Sequence, residues 1–95
     1  MQFEWDEAKR RANLEKHGVD FANALEFAWE SALVVVDDRF PYGEERRIAF
    51  GMFRGCVHVV VHTYRGNVTR MISFRRANAR EIRSYEEAKD RSERL

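Results

Sequence analysis

Apolar residues recur at two different periods along this chain, and the change from one to the other divides it. Phe3 and Trp5 lead into Asp6, whose side chain can accept from the free N–H groups of a first helical turn, and Glu7 to Lys16 follows with few breakers. His17 and Gly18 close that stretch, the glycine supplying the left-handed backbone on which helices end. Asp20 can cap a second helix, in which Phe21, Leu25, Ala28 and Trp29 recur at three- and four-residue spacing and predict a buried stripe.

From Ser31 onward the pattern is that of strands. Leu33 to Val36 is apolar and β-branched, and Asp37, Asp38, Pro41 and Gly43 then mark a turn. Arg46 to Phe53 reads as a second strand, with Arg46, Ile48, Phe50 and Met52 on one side and Arg47, Ala49, Gly51 and Phe53 on the other. Gly55 breaks to a third strand, Val57 to Tyr64; Arg65, Gly66 and Asn67 form a hairpin connection, and Val68 to Arg75 is the fourth. Asn78 with Glu81 three residues on resembles a capping box that opens a final helix, with Ala79, Ile82, Tyr85 and Ala88 near one face. The expected fold is therefore α+β: two N-terminal helices, a four-stranded antiparallel sheet and a C-terminal helix.

The hairpin places some side chains. A three-residue loop sets Tyr64 against Val68 and His62 against Arg70, so that the imidazole and the guanidinium share a face; a two-residue loop would shift the register by one and break the pairing. Arg75 and Arg76 are neighbours on an extended chain, so one of them, not both, shares a face with Arg70.

Composition adds limits. The 95 residues, 44% hydrophobic and 35% charged, suit one globular domain over 1–95. Apolar runs are too short for a membrane span, and the acidic, aromatic start lacks the charge order of a signal peptide. Cys56 stands alone, which fits a reducing cytoplasm. His58 and His62, four apart on a strand without carboxylate or thiol support, make a poor zinc site, so no metal and no cofactor is expected.

Charge changes the picture more. The net value of +1 hides an asymmetry: residues 1–38 carry nine acids against four bases, whereas residues 65–83 carry six arginines, no lysine and one acid. Guanidinium is a planar fork of donors that matches phosphate oxygens, so the run RGNVTRMISFRRANAREIR points to a polyanion. Cleaving RNA without a metal needs an activated ribose 2′-hydroxyl, cations against the phosphorus and a proton for the leaving oxygen. Arg65, Arg70 and one of Arg75 or Arg76 would supply the cations; His62, His17 and Glu44 are the proton-transfer candidates, with Tyr85 behind them. The same arginines would equally serve a binding module that holds RNA without cutting it, with stacking from Phe74, Tyr64 or Tyr42, or a patch that docks an acidic protein.

Three segments, FEWDEAKRRANLEKHGVDF, GEERR and VVVHTYRGNVTRMISFRRANAREIRSYEEA, resemble in order the BrnT family of type II toxin–antitoxin ribonuclease toxins, from about Phe3 to Ala88. The resemblance implies a RelE-like fold, RNA cleavage that halts translation, and neutralisation by a BrnA-type antitoxin whose DNA-binding portion carries the complex to its operator, expected as a heterotetramer. The family pattern falls on Lys16, His17 and Gly18; on Gly43, Glu44 and Arg46; on Thr63 and Arg65; on Arg70, Ser73, Arg75 and Arg76; and on Glu81 and Tyr85. Arg65, Arg70, Arg75, Arg76, His62 and Glu44 are the expected catalytic set, and Lys16, His17, Arg46, Arg80 and Tyr85 the expected substrate contacts. Phe74 stands where the family more often has a small residue, next to Arg75.

Overall fold

The computed structural model describes residues 1–93. Its elements run β1 (Gln2–Glu4), α1 (Glu7–His17), two short 3-10 turns (Phe21–Glu26 and Trp29–Ser31), β2 (Leu33–Asp37), β3 (Arg46–Phe53), β4 (Cys56–Arg65), β5 (Val68–Arg76) and α2 (Ala79–Glu93). The class is α+β, with a five-stranded mixed sheet ordered β1-β5-β4-β3-β2.

Three expectations need correction. The sheet has a fifth strand: Gln2–Glu4 pairs in parallel with Val68, Thr69 and Arg70, a segment too short to show a period. The second α-helix is absent; 3-10 turns replace it, because Phe21, Ala24 and Phe27 are the buried positions and a spacing of three matches three residues per turn. Leu25, expected in the stripe, is 71% exposed. The β4–β5 loop has two residues, not three: Arg65 pairs with Val68, and Gly66 takes the positive φ of 61° that such tight loops require at their first position. His62 consequently opposes Met71, and Thr63 opposes Arg70.

The helix ends follow the sequence closely. Asp6 accepts from the N–H groups of Ala8 and Lys9, and Gly18, at φ 71°, sends its N–H to the Leu14 carbonyl. Asn78 and Glu81 exchange bonds, each side chain accepting from the other's N–H, so α2 opens on a capping box with asparagine in the serine position.

One face of the sheet carries the main core, where Phe21, Ala24 and Phe27 pack on Ala49, Phe53, Val60, Met71 and Phe74. Gly51 is needed there, since a Cβ would lie 2.7 Å from the Phe27 ring. His62 belongs to this face and is fully buried, its ring edge-on to Trp29 and Tyr64 with neither nitrogen hydrogen-bonded. His58 is also buried here, between Phe53 and Phe74. On the other face α2 lays Ile82 and Tyr85 over Ile48, Phe50, Val57 and Val59. At the far rim β2 has no partner beyond it, and Val34, Val35 and Val36 are 48%, 52% and 54% exposed.

At the opposite edge β5 is finished by a side chain. β1 pairs only as far as Arg70; at Phe74 the carboxamide of Asn13 takes the place of a strand, accepting from the Phe74 N–H at 3.1 Å and donating to its carbonyl at 2.7 Å. The same Nδ2 donates to the Val19 carbonyl, so α1, the chain after it and β5 meet at one buried amide. No other residue of α1 is buried, which makes this polar joint the main attachment of a helix that lacks an apolar stripe.

Two outcomes are expected. Asn13→Ala leaves buried backbone groups of Phe74 and Val19 unpaired and should lower unfolding free energy by about 2–3 kcal/mol, read as a drop in the urea midpoint. Burial, reinforced by Arg47, holds the His62 imidazole below its ordinary value of 6.5 despite the nearby Val60 carbonyl. The unfolded chain therefore binds that proton more readily, so stability is full above about pH 6.5 and falls as the pH drops toward the lowered native value. Urea midpoints measured from pH 7.5 down to 5 should decline less steeply for His62→Phe than for the parent.

Candidate active site

In a regular strand, residues five apart point to opposite faces, so Arg70 and Arg75 should not meet. β5 is not regular. His62 opposes Met71 while the next residue back, Val61, opposes Ser73, so Ile72 is an extra residue and the strand bulges. The bulge restarts the alternation. Met71 and Phe74 both enter the core, and Arg70, Ser73 and Arg75 all emerge on the α2 face. Arg76, the other member of the pair, opposes His58 and lies exposed at the strand's end, beside Met52, Tyr85 and Glu86.

Around Arg70 the register builds a polar row across the sheet. Glu4 opposes Arg70 on one side and Thr63 on the other; Arg47 opposes His62, so Arg46 neighbours Thr63, and Arg46 opposes Asp37. Arg70 approaches Glu4 at 3.8 Å. The Arg46 guanidinium lies 4.0 Å over the Tyr42 ring with Glu44 3.9 Å away, and its buried Nε has no partner. Asp37 is buried and takes bonds from Arg39, at 2.7 Å and 2.9 Å, and from the Tyr42 hydroxyl, at 3.0 Å. The Arg39 bonds hold its carboxyl well below the usual carboxylate range, against the opposing effect of burial.

Arg75 anchors the second group. Both terminal nitrogens donate to Glu81, each at 2.8 Å, and Glu81 is also the residue that caps α2, so one carboxylate fixes the helix start and the guanidinium together. That hydrogen-bonded pairing raises the Arg75 pKa and lowers that of Glu81. A guanidinium has five N–H donors; two go to Glu81 and a third, from Nη1, to the Arg76 carbonyl at 3.3 Å, so two remain for a ligand. His17, at the end of α1, sits within range of the Arg75 charge; partial burial first, then Lys16 and Arg75, hold its imidazole below the ordinary 6.5. It is consequently neutral near pH 7 and able to accept a proton. The Arg39 charge weakly opposes the rise at Arg75. Along β5, Arg70 and Arg75 are about 15 Å apart at Cα, a spacing that reaches over more than one phosphate of a strand.

The expected residues divide accordingly. Arg46, Arg70, Arg75 and His17 come together on or beside one face, with Lys16 exposed next to His17 and Glu44 exposed beside Arg46. Arg65 shares the face but stands at the hairpin end, opposite Val68. Arg80 and Tyr85 line an apolar groove of about 310 Å3 between α2 and β2–β3, with Leu33, Val35 and Phe50, and Tyr85 packs there. His62 is on the core face and enclosed, and Arg76 stands exposed at the end of β5, beside Tyr85 and Glu86 of α2. Phe74 points into the core, so its bulk beside Arg75 fills the interior and leaves the guanidinium's side free. Sequence reasoning missed Asp37 with Arg39, Glu4 and Asn13. Asp37 and Asp38 read as turn residues, and nothing in the order of residues shows that a strand pairs Glu4 with Arg70.

Among the described residues no group of three or more His, Cys, Asp or Glu side chains could hold a metal ion, and no helix is long and apolar enough to cross a membrane. No curated protein matches the chain. The family model described as "Ribonuclease toxin, BrnT, of type II toxin-antitoxin system" matches residues 5–81, a span that holds His17, Arg46, Arg70, Arg75 and Glu81. With most of its length inside that match, the chain belongs to the BrnT family of type II toxin–antitoxin ribonuclease toxins.

Proposed function

We propose that this protein is a metal-independent endoribonuclease that cuts single-stranded RNA against Arg75, with Arg70 and Arg46 holding the adjoining phosphates and His17 moving the proton. The observation that supports this reading most is the shared face of Arg46, Arg70 and Arg75, with Arg75 aimed by Glu81 and His17 within range of its charge. RNA carries its own nucleophile. His17 takes the proton from the 2′-hydroxyl, the O2′–P bond forms as the P–O5′ bond breaks, and the leaving oxygen takes a proton from solvent at this open face. Charge that builds on the non-bridging oxygens meets guanidiniums already in place, so little reorganisation is needed during the step. The products are a 2′,3′-cyclic phosphate and a 5′-hydroxyl.

In the cell such an activity would act in the cytoplasm, where cutting RNA stops translation and growth. The family pairs each toxin with an antitoxin; we place a BrnA-type protein over part of the cationic face, in a heterotetramer that reaches operator DNA only through the antitoxin.

Purified protein incubated with RNA and excess chelator should cut it, leaving cyclic phosphate ends. Arg75→Ala should lose at least about 100-fold in rate, Arg70→Ala less, and Arg76→Ala little, with all three still folded. Salt-sensitive retention of RNA without scission would favour the binding module instead. A second measurement tests His17. Its lowered pKa makes the rate climb with pH through a value below 6.5. Lys16→Gln removes one of the charges responsible, so the rising limb of the pH–rate profile should move to higher pH.

A further inference from the structure

The segment between β2 and β3 folds into an open recess of about 490 Å3, whose walls include Asp37, Arg39, Phe40, Tyr42 and Glu44. Phe40 is 63% exposed and belongs to neither apolar cluster, so the core gives no reason for a large aromatic ring there. Its ring meets Tyr42 edge-on, with centroids 5.8 Å apart. Tyr42 is fixed twice over, by the Arg46 guanidinium on its face and by the bond from its hydroxyl to Asp37. The firmly held ring thus supports a free one at the margin of the polar row.

Charge decides what the recess can take. Its wall carries more carboxylates than cations, and Arg39, its one arginine, is occupied by Asp37. Phosphate is repelled from such a place, whereas an uncharged base with N–H groups on its edge is not. Arg46 joins the two environments, since it stacks on Tyr42 while lying in the row that contains Arg70. On the nuclease reading given above, we propose that the recess receives an unpaired base of the RNA, stacked on Phe40, while the phosphate attached to that nucleotide rests on Arg46 and Arg70. Phe40 is then a substrate-binding residue, and the preferred substrate is a single strand whose bases are free to turn outward.

The test uses the full chain and a short single-stranded RNA with one cleavage site, alongside versions made abasic at each flanking nucleotide in turn. A further version with a 2′-deoxy sugar at the scissile position cannot be cut and reports binding alone, by fluorescence anisotropy. Phe40→Ala should reduce kcat/KM and affinity about 10-fold, and Phe40→Trp should stay near the parent. One abasic substitution should bring the parent down to the Phe40→Ala level while leaving Phe40→Ala itself unchanged. Because Phe40 is outside the core, the thermal midpoint should not move, and a midpoint that falls is met by reading Phe40→Trp and the abasic series on the parent. A parent that cuts RNA while Phe40→Ala cuts and binds equally well overturns the recess and leaves the nuclease standing. A parent that cuts nothing yet binds the deoxy strand through Phe40 overturns the nuclease and keeps the recess.

Discussion

The bulge at Ile72 is the constraint from which the site follows. A strand alternates its side chains without exception unless a residue is inserted, and the insertion here lies between Arg70 and Arg75. Without it Arg76 would emerge beside Arg70, and Arg75 would be driven toward the core position that Phe74 now fills. The irregularity is secured just downstream by Asn13, whose amide grips the main chain at Phe74 and keeps the displaced register from slipping back. That grip has a second effect. It brings the end of α1 to the edge of β5, which is how His17 comes under the influence of Arg75.

Seen this way, the sheet separates two kinds of demand. Its lower face is a largely aromatic interior in which Phe27, Phe53 and Phe74 meet edge to face, and the one costly group it encloses among the described residues is the unpaired His62 imidazole. The upper face holds charged groups of like sign close together, a costly arrangement unless each is tethered. Glu4, Asp37 and Glu81 do the tethering for Arg70, Arg39 and Arg75. Each carboxylate orients a cation without filling all its donors, so the face keeps a net capacity for anions.

What the sequence discloses depends on the range of the interaction that decides each feature. Asp6, Gly18 and the Asn78–Glu81 pair act within four residues and were legible, as was the rule that Arg75 and Arg76 part company. Which of the two stays was not legible, because Ile72 looks like any strand residue and its extra place shows only against β4. The 3-10 turns escaped for another reason: Phe21, Leu25, Ala28 and Trp29 follow a period of 3.6, whereas the residues that the core takes up, Phe21, Ala24 and Phe27, are spaced by three. His62 had the right chemistry at the wrong parity, a displacement of one residue set by the glycine of a loop. The family motif located the arginines; only the register told their directions.

The rim of valines on β2 bears on how the protein behaves before it meets anything. Main-chain donors and acceptors there point outward with no bulky cation, proline or kink to discourage a neighbour, where most edge strands are guarded in one of those ways. A strand laid against this margin would complete main-chain pairing that the described residues leave open.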